Sequence, residues 1–143
     1  MMMEIKNILV PTNGGGADEE VIKLACSLAK RSKAKVYAVY VVEVERSLSL
    51  DTQVDSETEK AEKILTQAED AAADADYEIE TDLLQARDAG PAIVNEAVER
   101  EVDLIIMATT YEKAHGVPDL GKTVYYVLKE APCRVLLYRD SIS

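Results

Sequence analysis

The 143-residue chain carries 16 basic and 27 acidic side chains for a net charge of −11, is 48% hydrophobic, and contains two cysteines, one histidine and no tryptophan. That length supports one domain with its own core and is short for two, so residues 1–143 are read as a single domain. A disulfide framework, a histidine-built metal site and a membrane-spanning run are excluded, and the acidity argues against nucleic acid or an anionic membrane as partner.

In chain order, the opening Met1-Met2-Met3-Glu4 has neither a basic flank nor an apolar signal core, and a cytoplasmic protein is expected. Ile8 to Val10 predicts a first strand, followed by the turn Pro11-Thr12-Asn13-Gly14-Gly15-Gly16. Val21, Leu24, Ala25, Leu28 and Ala29 recur at helical spacing, and Val36 to Val42 is an apolar run of the kind buried on both faces. The charge is regional: residues 43–82 hold fourteen acids against three bases, and the remainder holds thirteen of each. Such a region reads as a solvated helix face preceded by a polar loop over Glu43 to Glu57, a candidate lid, in preference to a dock for a basic partner. Ala61, Ile64, Leu65, Ala68, Ala72 and Ala75 form the second helical stripe, and Ile79 to Leu84 a third strand. Gly90-Pro91 predicts the start of a third helix with proline at its first position, its stripe being Ile93, Val94, Ala97 and Val98. Leu104 to Met107 is a fourth strand, Val124, Val127 and Leu128 a fourth helix ended by Pro132, and Val135 to Leu137 a fifth strand. Cys26 and Cys133 read as small apolar filler.

Strict alternation of strands and helices predicts an α/β fold: a Rossmann-like, open, mostly parallel five-stranded sheet with helices on both faces. Ligands of such sheets bind beyond the carboxyl ends of the strands, where strand order reverses. Two loops qualify, the turn after the first strand and the segment Thr109 to Lys122. The second contains Gly116-Val-Pro-Asp-Leu-Gly121-Lys122-Thr123, which satisfies G-x-x-x-x-G-K-[ST], a pattern whose glycines admit phosphate to backbone N–H groups beside a lysine and a helix start. A phosphate loop of that type follows its strand directly, whereas Thr110 to His115 intervene here, so a weak ATPase is a lesser alternative. No general base, metal cluster or nucleophile stands out, and a non-enzyme is expected. Lys122 at a helix start opposes the dipole unless an anion relieves it, Thr123 is a capping candidate, and Asn13 offers an amide with both donor and acceptor.

The pieces Ile8-Leu-Val-Pro11, Leu28-Ala-Lys-Arg31, Asp103-Leu-Ile-Ile-Met107 and above all Leu120-Gly121-Lys122 through Ala131-Pro132-Cys133-Arg-Val135 resemble the universal stress protein family over the whole chain. The resemblance implies a Rossmann-like regulatory domain, a homodimer through the last strand with Tyr138 as a candidate contact, and an adenine nucleotide, ATP or AMP, with magnesium only alongside ATP. Against the family's nucleotide pattern, Asn13 stands where aspartate is usual, Ala108 and Tyr111 replace two glycines, Lys122 replaces a serine, and Gly121 is kept. The residues expected at the nucleotide are Thr12, Asn13, Gly14, Val42, Gly116, Gly121, Lys122 and Thr123. The alternative is a nucleotide-independent dimeric scaffold of the same fold, acting through contacts with an unidentified protein partner.

Overall fold

Each branched apolar run becomes a strand because its side chains find a covering helix on both sides. A computed structural model describes residues 4–109, 112–114, 117–119 and 121–139. The elements are β1 (Asn7–Pro11), α1 (Asp18–Ser32), β2 (Lys35–Glu43), α2 (Asp55–Asp74), β3 (Glu80–Ala86), α3 (Ala89–Glu99), β4 (Leu104–Thr109), β5 (Glu112–Ala114), β6 (Val117–Asp119), α4 (Lys122–Glu130) and β7 (Arg134–Arg139). The main sheet is five-stranded in the order β3-β2-β1-β4-β7, and all four strand pairs are parallel. The chain winds outward from β1 to β3, then crosses over to β4 and winds the other way, so the order reverses between β1 and β4.

Alternation along the strands sorts the core into two layers. Ile8, Val10, Val36, Ala38, Leu104 and Ile106 pack against Val21, Ile22, Ala25, Ala68 and Ala72 of α1 and α2. Leu9, Tyr37, Val39, Ile105 and Met107 face the opposite way, onto Ile93 and Ala97 of α3 and Val124 and Val127 of α4. Each fully buried Ile, Leu or Val contributes about 1.5–3 kcal/mol, so the two layers dominate stability. Helix α1 also suits its own dipole, with Asp18, Glu19 and Glu20 in its first turn and Lys30 and Arg31 in its last. Asp103 fastens the sheet's other end: its Oδ2 accepts the N–H groups of Lys6 at 2.7 Å and Asn7 at 2.9 Å.

Three details differ from the sequence expectation. Pro91 is the third helical residue of α3, since Asp88 is the N-cap and Ala89 the first position; the third N–H of a helix also lacks an intrahelical partner, which is why proline is tolerated there. The polar stretch after β2 is held down: Gln85 Nε2 donates to Leu50 O at 2.7 Å and Thr52 O at 2.9 Å, and Arg87 donates to the carbonyls of Val44 and Glu45. The segment between β4 and α4 contains an antiparallel pair, β5 with β6, in which Ala114 is opposite Val117. No helix among the described residues is long and apolar enough to cross a membrane.

Candidate functional site

Strand reversal leaves a cleft of about 430 Å³ beyond the carboxyl ends of β1, β2 and β4. Its floor is apolar, formed by Val39, Val41, Ile93, Met107, Ala108 and Val124. Thr12, Asn13, Glu43, Thr109, Gly121, Lys122 and Thr123 supply the polar groups around it. An apolar slot with few polar groups at its edge is the form of a small-molecule site, and this volume lies within the usual range.

The turn after β1 is largely satisfied from within. Thr12 is buried, and both its N–H and its hydroxyl donate to Val39 O, at 2.8 and 2.9 Å. Asn13 Oδ1 accepts the Gly15 N–H at 2.7 Å, an Asx turn that leaves Nδ2 as the unengaged end of the amide. The Asp18 carboxylate folds back to accept the Gly14 N–H at 2.8 Å and, more weakly, the Asn13 N–H at 3.3 Å. Burial pushes the Asp18 carboxyl above its ordinary value of 3.8, while the Gly14 and Asn13 N–H groups pull it back down. A concavity of backbone donors that would suit an external anion therefore already holds an internal one.

At the other side of the cleft the N-cap residue of α4 supplies no side-chain bond to the helix start. Gly121 is the N-cap residue at φ 88° and ψ 150°, a conformation almost confined to glycine, and a glycine brings no side chain to the first-turn N–H groups. Thr123 lies inside the helix at its second position, so it does not cap α4. Lys122 is the first helical residue and its side chain is 79% exposed; Nζ stands 3.9 Å from Asp88 Oδ1. A cation at that place faces the positive end of the helix dipole, an arrangement that an anion at the cleft would relieve.

The cleft thus brings together Thr12, Asn13, Gly121, Lys122 and Thr123. Gly14 faces elsewhere, into a groove between α1 and α2 with Gly15, Asp18, Ile64 and Gln67. Val42 is buried on the α2 side with Tyr40, Val44 and Ile64, and its neighbour Val41 lines the cleft. Gly116, Tyr111 and His115 lie outside the described residues. Within the G-x-x-x-x-G-K-[ST] string, Val117 to Asp119 form β6, so the stretch that would wrap phosphate in a strand-to-helix loop is extended and paired with β5. Ile93, Met107, Ala89 and Asp88 were not singled out by sequence; the helical stripe containing Ile93 was visible, but not which end of it would be left open. Cys26 is buried and Cys133 half-buried, both as free thiols packed in the core layers. Among the described residues, no group of three or more His, Cys, Asp or Glu side chains is placed to hold a metal ion.

Residues 4–139 match the model of the Universal stress protein family. A universal stress protein of Methanocaldococcus jannaschii is 31% identical over 140 residues, covering 94% of this chain and 82% of the relative. The fold is shared with a universal stress protein of Archaeoglobus fulgidus solved in complex with dAMP (TM-score 0.75, 20% identity, 94% of this chain and 98% of the other). It is also shared with a universal stress protein solved in complex with cAMP (TM-score 0.68, 19% identity, 97% and 100%).

Proposed function

The chain belongs to the universal stress protein family, and from that premise we propose that it is a regulatory domain whose cleft binds an adenine nucleotide without turning it over. The observation that carries this reading is the meeting of an apolar slot with the side-chain-free N-cap of α4 and its first residue, Lys122. The floor of Val39, Val41, Ile93 and Met107 takes the flat base and removes its faces from water. The Asn13 Nδ2 protons then donate to a ring nitrogen or ribose oxygen, since Oδ1 is engaged by Gly15. The phosphate goes to the α4 N-terminus, where Thr123 adds a hydroxyl and Lys122 a charge. Family relatives solved with dAMP and cAMP support the ligand class. The output is a population shift, in which the bound state presents a different surface to a partner.

Equilibrium dialysis of AMP and of ATP with magnesium against wild type and Lys122→Ala tests this. Micromolar binding weakened by Lys122→Ala is the expected result. Absence of binding at millimolar nucleotide would remove it, and would leave the scaffold reading. That second reading is favoured by one observation: β7 is an edge strand whose Leu136, paired with Ile106 and so on the α1–α2 face of the sheet, is 41% exposed. An isologous contact through β7 would pair that edge and cover Leu136. The hydroxyl of Tyr138, the candidate contact on that edge, donates to the Glu20 carboxylate of its own chain.

A further inference from the structure

Asp88 occupies the N-cap of α3, where a carboxylate ordinarily accepts the N–H of the second or third helical residue. No such bond forms here, and the third residue, Pro91, has no N–H to donate. The carboxylate stands instead between two cations: Arg46 Nη2 is 4.0 Å from Oδ2 and Lys122 Nζ is 3.9 Å from Oδ1. Arg46 comes from the loop after β2 and Lys122 from the cleft's own helix start, so one acid connects two separate elements. A recess of about 220 Å³ adjoins the cleft between the first turns of α3 and α4, lined by Asp88, Gly90, Pro91, Lys122, Thr123 and Tyr126. Arg46 is 85% exposed and Lys122 79%, so these pairs add little to stability, and their effect falls on whatever charge approaches them.

We propose that Asp88 sets the phosphate count of the ligand: its carboxylate holds the place between Arg46 and Lys122 that an outer phosphate would take. The inference rests on the cleft being a nucleotide site. A single phosphate at the α4 N-terminus draws on Lys122 and leaves Arg46 with Asp88. A second or third phosphate, carried outward past Lys122, meets the Asp88 charge and competes with it for both cations. The cleft therefore favours a nucleoside monophosphate, and neutralising Asp88 turns Arg46 and Lys122 into a receptor for a longer phosphate chain. Asparagine at this position preserves a side chain suited to the N-cap, so α3 keeps its start.

Titration calorimetry of AMP and ATP, both without magnesium at low ionic strength, would be run on wild type, Asp88→Asn and the double variant Asp88→Asn with Arg46→Gln. Wild type is expected to bind AMP more tightly than ATP. Asp88→Asn should raise ATP affinity about threefold to fivefold while changing AMP affinity less than about twofold, as one solvated charge warrants. Adding Arg46→Gln should cancel the gain. A wild type that prefers ATP, equal gains for both nucleotides, or a gain that survives the loss of Arg46 would overturn the role of Asp88 and leave the nucleotide reading standing. Binding of neither nucleotide to any of the proteins would overturn both.

Discussion

Two glycine-bearing turns lie at the same end of this sheet, and they have opposite chemistry. The turn after β1 presents Gly14, Gly15 and Gly16 but is closed from within: Asp18 accepts the Gly14 N–H, and Asn13 accepts that of Gly15. The turn before α4 presents Gly121, an N-cap residue that has no side chain to bond the helix it opens. Glycine content alone marks both as phosphate loops; what separates them is whether a nearby carboxylate can reach back. Asp18, on the first turn of α1, can do so, whereas at α4 the corresponding first residue is a lysine. An internal anion fills one site and a cation is placed beside the other.

The largest effect that sharpens this contrast is on the backbone. Gly121→Ala forces a β-carbon onto a conformation reserved for glycine and should cost about 1–3 kcal/mol in urea unfolding. Gly16→Ala has no positive φ and nothing within 4 Å of the added carbon, so it should stay within about 0.5 kcal/mol of wild type. Equal effects of the two would break the comparison. Next comes Lys122→Ala, which should weaken AMP binding about threefold to tenfold in dialysis with unfolding nearly unchanged, as expected for one charge-assisted contact on an exposed side chain.

The smallest effect is a pH dependence. Because the folded-state Asp18 carboxyl lies above 3.8, its contribution to stability is fully present below its unfolded value and is lost as pH rises through its folded value. Wild type should therefore lose stability relative to Asp18→Asn as pH rises across that window, followed by urea midpoints at a series of pH values. A difference that instead grows in favour of wild type would mean that the Gly14 and Asn13 N–H groups outweigh burial.

Much of the fold was legible because branched apolar runs and helical stripes alternate without interruption, and that order permits few topologies. What remained illegible has particular causes. Val36 to Val42 is apolar on both faces, so nothing in the run distinguishes Val41, which lines the cleft, from Val42, which packs on α2. The β5–β6 pair was missed because Glu112 to Ala114 and Val117 to Asp119 lack alternation and Pro118 discourages a strand; a two-stranded ribbon consists only of edges, where proline is admitted. Gly14 and Gly121 look alike in sequence, and only the fold shows that the first faces Ile64 in the α1–α2 groove and the second the cleft. Asp88 and Arg46 are far apart in the chain, and their meeting at Lys122 follows from the β2–β3 pairing and the packing of α3 beside α4.

The difference between the two turns can be read in one experiment, a titration of ¹⁵N-labelled protein with AMP followed amide by amide. If the α4 helix start is the phosphate site, the amides of Gly121, Lys122 and Thr123 shift together and saturably, while that of Gly14, already donated to Asp18, stays in place. Saturable shifts at Gly14 and Gly15 with none at Gly121 to Thr123 would contradict the account, since the anion would then have displaced Asp18 from the turn it closes.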